Sequence, residues 1–530
     1  MWKMTKSILI NYIGYPTTPS TLMPDNGLAN LAGSLIKKGH ETIILDYNTT
    51  DSIKRLFPQN NSGGDLNAII KGAQEKDIQA VVNEISSLIK KRNIDFVGFK
   101  LLTGEGFKSS VKIAEKLKKD NPKLPIFAGG PHVDWFRERI YNITDAFDTL
   151  AYGEGEETIV GLAEYVERRK KLDEIPNLFY KENGNIKVTP IKRVENLDDL
   201  AFPIYDESIY PAMKGDNKIK IMMLDESRGC PNSCNFCIHP IKSGSKRRIR
   251  SPKRLVGEIK EMISRYNTRF FRFAGSNTPG IFKEELAREF IKENLPVVYT
   301  AFGHVGDKNA DFKILKESGC YSLFFGIESG SQKILKESIN KRSSGKIVNI
   351  NQIIDSINAC KKGGIFPVGS IIFPAPLETE ETKQESLDLL LNKISLNSVL
   401  VCLPAVVLGT EWEKNHEKYS ITYLNPKTFD RDLMNYTAKL FFPPILWDPF
   451  PYNINNKPFK EYVVESNDFV QRLEQNGILT QVSDEMLLMA NLAKKTPRQF
   501  RDDLRKYFSS GDYENMKDYV KTINSNCSVK

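Results

Sequence analysis

The stretch Arg228-Gly229-Cys230-Pro231-Asn232-Ser233-Cys234-Asn235-Phe236-Cys237 sets three cysteines in a C-x3-C-x2-C pattern. A single loop with this spacing can wrap three corners of a cube. A [4Fe–4S] cluster ordinarily takes four Cys ligands, so three leave one iron with an open position that a small molecule can chelate. The competing reading is a structural zinc loop with His239 as fourth ligand. Zinc sites are built mainly from paired C-x2-C or C/H spacings, whereas His239 stands two residues past Cys237 and directly before Pro240. A disulfide would leave one cysteine over. The ligand arithmetic favours the cluster.

Around this loop lies an ordinary globular composition. The chain has 530 residues, 40% hydrophobic and 27% charged, which is too long for one core and suits several domains. A net charge of +9, from 75 basic and 66 acidic residues, is modest for this length and does not by itself call for nucleic acid. No apolar run reaches the ~18 residues of a membrane span. The start, MWKMTKSILINYIGYP, has a short apolar run but no small-residue cleavage site, so no signal peptide is expected. Seven cysteines, three of them clustered, suit reduced cytoplasmic chemistry rather than a disulfide scaffold.

Upstream, residues 1–165 read as a doubly wound α/β domain. Strand-like runs Ser7–Tyr12, Glu41–Asp46, Phe96–Leu101, Ile126–Gly129 and Thr149–Tyr152 alternate with helical patterns such as Leu28, Leu31, Leu35 and Ile36. Strands alternating with helices imply a parallel sheet, and ligands of such sheets sit beyond the strands' carboxyl ends. The loops carrying Gly14-Tyr15, Thr103-Gly104, Gly129-Gly130-Pro131-His132 and Gly153-Glu154-Gly155 all follow strands. Glycine there permits close backbone approach to a ligand; each is equally a plain strand-to-helix turn. No G-x-G-x-x-G dinucleotide fingerprint is present. Residues 166–217 form a linker with a hairpin signal at Asn183-Gly184, followed by Leu197-Asp198-Asp199-Leu200 and Phe202-Pro203.

From 218 to 420 six β/α units suit a partial (β/α)6 barrel, with strands Ile219–Leu224, Arg269–Ala274, Val297–Phe302, Ser322–Ile327, Phe366–Phe373 and Val399–Leu403. Barrel sites lie at the strands' carboxyl ends. Those ends carry the cysteine loop, Ala274-Gly275, His304, Glu328-Ser329-Gly330, Phe373-Pro374 through Glu378-Thr379, and Val406–Leu408. The most basic run, Lys246–Arg254, has nothing aromatic interleaved and leads directly into a helix, so nucleic-acid binding is the weaker reading. In residues 421–530 the β/α rhythm stops: an aromatic and proline-rich stretch from Phe441 to Tyr452 precedes helices at Glu485–Lys494 and Phe500–Phe508, and the last residues look frayed. This extension is expected to shape a substrate pocket.

The cysteine loop, with Phe236 before its third cysteine, resembles the signature of the radical S-adenosylmethionine (SAM) superfamily. The N-terminal set of GLANLAGSLIKKGHE, a strand ending in Asp46, AGGPH and YGEGEET resembles the cobalamin-binding domain found in front of many such enzymes. Gly-x-Glu-Ser-Gly at 326–330 and Pro-x-Pro-x-Glu-Thr at 374–379 resemble the same subfamily. The resemblance implies three cofactors: a [4Fe–4S] cluster on Cys230, Cys234 and Cys237, SAM, and cobalamin. Because Asp-x-His-x-x-Gly is absent, it implies cobalamin held without a lower histidine ligand. For SAM it implies Ala274-Gly275 near the amino group, Glu328 and Ser329 near the ribose, and Phe236, Phe373 and Pro374 near the adenine, although the usual Gly-Gly-Glu motif is missing. For cobalamin it implies Gly14, Tyr15, Thr103, Gly104, Gly130, Pro131, His132, Gly153, Glu154 and Gly155. The implied activity is methylation of an unactivated carbon or a phosphorus centre, on a small molecule or peptide, with an external electron donor such as flavodoxin or ferredoxin. The alternatives are a non-methylating cyclisation, rearrangement or oxidation with the same cofactors, and a metal- or cobalamin-responsive binding protein. No catalytic acid or base stands out.

Overall fold

A computed structural model describes residues 4–14, 18–52, 75–276, 278–306, 310–438, 440 and 443–528. The chain forms two compact units: residues 1–220 with 430–443 and 504–521, and residues 221–429 with 444–503 and 522–530.

The first unit is built on a seven-stranded sheet of β1 (Lys6–Asn11), β2 (Glu41–Asp46), β3 (Phe96–Lys100), β4 (Ile126–Gly129), β5 (Thr149–Ala151), β6 (Leu178–Glu182) and β7 (Asn185–Val188), in the order β2-β1-β3-β4-β5-β6-β7. The first five strands are parallel, and their apolar runs are buried on both faces, as parallel strands between helix layers require. Helix α1 (Asn26–Lys37) begins where the Asp25 carboxylate accepts the Leu28 N–H at 2.9 Å, and it stops before Gly39, whose φ of +85° suits a helix end. Helices α2 (Glu75–Arg92) and α3 (Glu105–Asp120) pack together, as do α1 and α4 (Glu156–Val166). The order 2-1-3-4-5 reverses direction between β1 and β3, the switch point where such sheets open a crevice for ligands.

The stretch read as a linker belongs to this unit. Its hairpin turns at Asn183-Gly184, both with positive φ, and adds β6 and β7 antiparallel to the sheet edge. Further along, Phe202 lies so close to α1 that a Cβ on Gly33 would come within 2.1 Å of its carbonyl oxygen. The Lys218 ammonium sits 2.7 Å from the Asp46 carboxylate, both side chains wholly buried.

The second unit holds a six-stranded parallel sheet of β8 (Met222–Leu224), β9 (Phe270–Phe273), β10 (Val298–Gly303), β11 (Cys320–Glu328), β12 (Phe366–Ile372) and β13 (Ser398–Cys402). Neighbours in space are neighbours in sequence, so the sheet winds one way, as in a partial barrel. Phe273 and Tyr299 face Phe290 on the helix Gly280–Lys292. Strand alternation therefore turns Arg272 and Phe302 to the opposite face. There the guanidinium of Arg272 lies 5.3 Å from the Phe302 ring and meets Asp484 at 3.4 Å and Glu485 at 3.2 Å. The helix Asp484–Leu492 thus packs on the inner side of the sheet, where Val482 and Leu487 join Val368 in one apolar cluster.

One expectation about the tail changes. A helix runs over Tyr513–Cys527 where fraying was expected, and Cys527 is buried with its carbonyl accepting the Arg269 N–H at 3.4 Å. In the aromatic stretch Phe450 and Tyr452 are buried and stacked at 5.1 Å, while Ile445 and Leu446 are exposed. Phe441 and Phe442 lie outside the described residues.

Candidate functional site

The cysteine loop leaves the carboxyl end of β8 and is fixed at each end by backbone. Gly229 has a φ of +85°, and a Cβ there would come within 2.2 Å of the Lys246 carbonyl, so only glycine lets the two chains pass. Cys230 N–H donates to the Gly244 carbonyl at 3.0 Å, and Cys237 N–H to that of Cys234 at 3.0 Å. All three cysteines lie outside any disulfide and are partly buried. The Cys234 and Cys237 thiols are pushed up by burial and by the neighbouring sulfurs, Cys237 to about 12. Such a donor set becomes three thiolates only around a strongly cationic metal centre. Among the described residues no three His, Cys, Asp or Glu side chains gather tightly enough for a single ion. His239, the fourth ligand of the zinc reading, starts the short helix His239–Ser243.

Two later segments grip the loop. A π-helical turn, Leu335–Ile339, follows β11, a form found often beside functional sites. Its end accepts from the loop: Asn235 N–H donates to the Ile339 carbonyl at 2.9 Å and the Asn235 amide to that of Ser338 at 2.8 Å. Asn340 returns a hydrogen bond to the Ser233 carbonyl at 2.9 Å. From the segment after β13, Trp412 donates its indole N–H to the Ser338 carbonyl at 2.9 Å and its backbone N–H to that of Asn235 at 3.0 Å, with its ring 5.7 Å from Phe236. The sequence reading singled out Phe236 here, but not Asn235, Lys341 or Trp412.

Beside this grip, Glu328 ends β11 at a register shift, with a φ of +68°. Its carboxylate meets the Lys341 ammonium at 3.0 Å. At the end of β9 the Gly275 N–H donates to Glu226 Oε2 at 2.9 Å, and a Cβ at 275 would come within 2.6 Å of both Glu226 and Ser227. Burial raises the Glu226 carboxyl, against a hydrogen bond from Thr278 at 2.6 Å.

Residues 17–163 match the B12 binding domain family and residues 227–390 the Radical SAM superfamily. The chain therefore joins a B12 binding domain to a Radical SAM domain. It is similar to "Uncharacterized methyltransferase PH0819" of Pyrococcus horikoshii, 30% identical over 56% of this chain and 64% of that protein. It is also similar to the anaerobic magnesium-protoporphyrin IX monomethyl ester cyclase of Rubrivivax gelatinosus, 26% identical over 61% of this chain and 59% of that one. The chain therefore spans about six-tenths of the curated relatives it matches. In fold it resembles the radical SAM methyltransferase TsrM of Kitasatospora setae, with a TM-score of 0.68 and 13% identity over 97% of this chain and all of that one.

Membership in these families brings a [4Fe–4S] cluster, SAM and cobalamin as cofactors, and the residues expected to hold them differ in how well they fit. In the radical SAM unit, Ala274 is tied back by its N–H to the Leu224 carbonyl at 2.8 Å. Ser329 is fully enclosed, its hydroxyl 3.4 Å from that of Ser386 and accepting the Ser331 N–H at 3.1 Å, whereas the Glu328 carboxylate lies against the Lys341 ammonium. Phe373 is buried and stacked 3.8 Å from Phe469, and Pro374 is buried beside it, so neither offers an open face to adenine. Glu378 caps the following turn, accepting the Ala375 N–H at 2.8 Å, and burial lifts its carboxyl to about 8. Within the basic run Arg250 and Glu258 form a buried ion pair and Arg248 donates to the Ser243 carbonyl at 2.9 Å, while Lys246 and Lys253 are exposed.

In the B12-binding unit, Gly14, Gly104, Gly130 and Gly153 all have positive φ, at the carboxyl ends of β1, β3, β4 and β5. A Cβ at Gly14 would meet Glu105 at 2.6 Å and one at Gly130 the Lys100 side chain at 3.1 Å. These left-handed turns leave a backbone-lined edge, which suits a flat ligand. Thr103 is exposed on that edge, and Pro131 and Gly155 are partly buried. Glu154 is spent on the Val194 N–H at 2.7 Å, and Tyr15 lies outside the described residues. His132 departs most from expectation. It is wholly buried between Phe107 at 4.2 Å and Phe136 at 4.6 Å, with no hydrogen bond to either ring nitrogen, and burial lowers it to about 3. It is a core residue with no edge toward a corrin.

Proposed function

We propose that this chain is a cobalamin-dependent radical SAM methyltransferase acting on an unactivated carbon or a phosphorus centre. The observation that carries the reading is a three-thiol loop at the carboxyl end of a parallel one-way sheet, in the same chain as a B12-binding domain. When bound, the cluster, SAM and cobalamin supply reductive SAM cleavage, a primary carbon radical and a methyl carrier. The protein's own part is positional. Cys230, Cys234 and Cys237 bind the metal centre and leave one iron open. Asn235, Trp412 and the 338–342 segment hold the loop still. Glu328 presents a fixed carboxylate at the end of β11, and the glycine turns of the first unit admit a flat ligand. A radical of this kind needs exclusion of water and close orientation of its target.

The substrate is a small molecule or a peptide. The electron comes from an external low-potential donor such as flavodoxin or ferredoxin, in a reducing cytoplasmic setting that suits a chain whose cysteines form no disulfide. Among the described residues no helix is long and apolar enough to cross a membrane. Likeness to a cyclase supports a second reading, in which the same cofactors serve a non-methylating reaction. Incubating the anaerobically reconstituted protein with methyl-labelled SAM and candidate substrates separates the two. A labelled methyl in the product supports methyl transfer, and SAM consumption with unlabelled product supports the second. Colourless protein carrying stoichiometric zinc would overturn both in favour of a metal-responsive binding protein.

A further inference from the structure

Lys341 lies inside the segment that grips the cysteine loop. On one side of it Asn340 donates to the Ser233 carbonyl at 2.9 Å. On the other Arg342 Nε donates to the Asn340 amide oxygen at 2.9 Å. Its own backbone is fixed by bonds to the Leu335 carbonyl and from the Val348 N–H, both at 2.9 Å. Its side chain is 14% exposed, and its ammonium lies within the electrostatic reach of Cys234 and Cys237.

Three features of β11 serve the placement of this one charge. The ammonium pairs with Glu328 at 3.0 Å. Glu328 sits in left-handed backbone with a φ of +68°, at a register shift, which costs a residue of its type free energy and persists only where the surroundings enforce it. A Cβ at Gly326 would lie 2.2 Å from the Glu328 carboxylate and 3.0 Å from the Lys341 nitrogen, so glycine there makes room for the pair.

We infer that Lys341 is a fixed positive charge that raises the reduction potential of a cluster bound at Cys230, Cys234 and Cys237, and that Glu328 tempers it. The inference rests on the cluster assignment of the preceding section. Reducing [4Fe–4S]2+ to [4Fe–4S]+ adds one negative charge and moves no proton; the electron comes from the external donor or, in a titration, from dithionite. A nearby ammonium favours the reduced state, and partial burial keeps solvent and salt from screening it. Cluster potentials follow local charge and exposure in this way. The Glu328 carboxylate acts with opposite sign.

The test is an EPR-monitored redox titration of the full, anaerobically reconstituted chain without SAM, comparing wild type with Lys341→Met, Lys341→Arg and Glu328→Gln. Lys341→Met should lower the ratio of reduced to oxidised cluster at the wild-type midpoint by about tenfold or more, ~59 mV for a one-electron couple. Lys341→Arg should stay near wild type, and Glu328→Gln should shift upward. A Lys341→Met protein with wild-type iron content and an unchanged or raised potential overturns the inference. If Lys341→Met binds no iron, Glu328→Gln decides: an upward shift supports the inference, and no shift or a downward one overturns it. If the wild-type protein itself shows no [4Fe–4S] absorption or reduced-cluster signal, the cluster assignment fails first and the inference with it.

Discussion

Asn235 and Trp412 converge on one carbonyl: the Asn235 amide and the Trp412 indole both donate to Ser338 O, at 2.8 and 2.9 Å. The first of the two residues between the second and third cysteines is thereby tied to the same anchor as a tryptophan 177 positions later in the chain (412 minus 235). The loop's geometry depends on distant parts of the fold, not on its spacing alone.

Asn235→Ala removes that amide and its bond to the Tyr419 hydroxyl at 3.1 Å, leaving buried acceptors unmet at a cost of about 1–3 kcal/mol. The expected result is faster loss of iron to a chelator, with bulk secondary structure retained. Trp412→Phe keeps most of the packing and loses only the indole donor, so its iron loss should fall between wild type and Asn235→Ala. Release kinetics followed by visible absorbance check both.

Lys218→Met should destabilise the first unit by about 3–5 kcal/mol, the usual result of leaving one member of a buried ion pair alone. Asp46 would keep its bond from Asn11 at 3.2 Å and lose the ammonium at 2.7 Å. Replacing both partners with apolar residues should recover much of the loss. Urea unfolding of the three proteins, read by circular dichroism, provides the measurement.

His132 carries a pH signature. Its folded value is lowered to about 3 by burial, below the 6.5 of an exposed ring. Between those values the unfolded chain takes up a proton that the native chain refuses. Its contribution is complete above pH 6.5 and declines as pH falls toward 3, with a slope of up to about 1.4 kcal/mol per pH unit. His132→Phe should flatten this part of the stability–pH curve. A variant curve parallel to that of wild type would contradict the burial argument.

Gly33→Ala should also destabilise, by about 1–3 kcal/mol, because the new methyl group would press on the Phe202 carbonyl 2.1 Å away. Alanine is the better helix former, so an exposed glycine at this point of α1 would show the opposite sign. Thermal melts of the two proteins distinguish these outcomes.

The fold was largely legible because its signals are local. Short apolar runs ending at glycine marked the strands of both sheets, with Glu41–Asp46 and Ile126–Gly129 placed to the residue. The spacing of Cys230, Cys234 and Cys237 singled out the proposed cluster ligands within eight residues of chain. Site residues outside that loop were less legible. Ser329 and Phe373 stand at the expected strand ends, but the turn around them buries the one beside Ser386 and the other against Phe469. His132 follows a glycine turn that faces a crevice, yet its ring points into the core.

By itself, then, the sequence determined the order of the strands along the chain, the pairing of a B12-binding with a radical SAM domain and the three-cysteine loop, because each is written in adjacent residues. Only the tertiary structure decided what holds the cysteine loop and which charges surround it. Asn235 with Trp412, Glu328 with Lys341, and Asp46 with Lys218 are pairs between distant segments. They exist because burial leaves each polar group no partner but one the fold delivers.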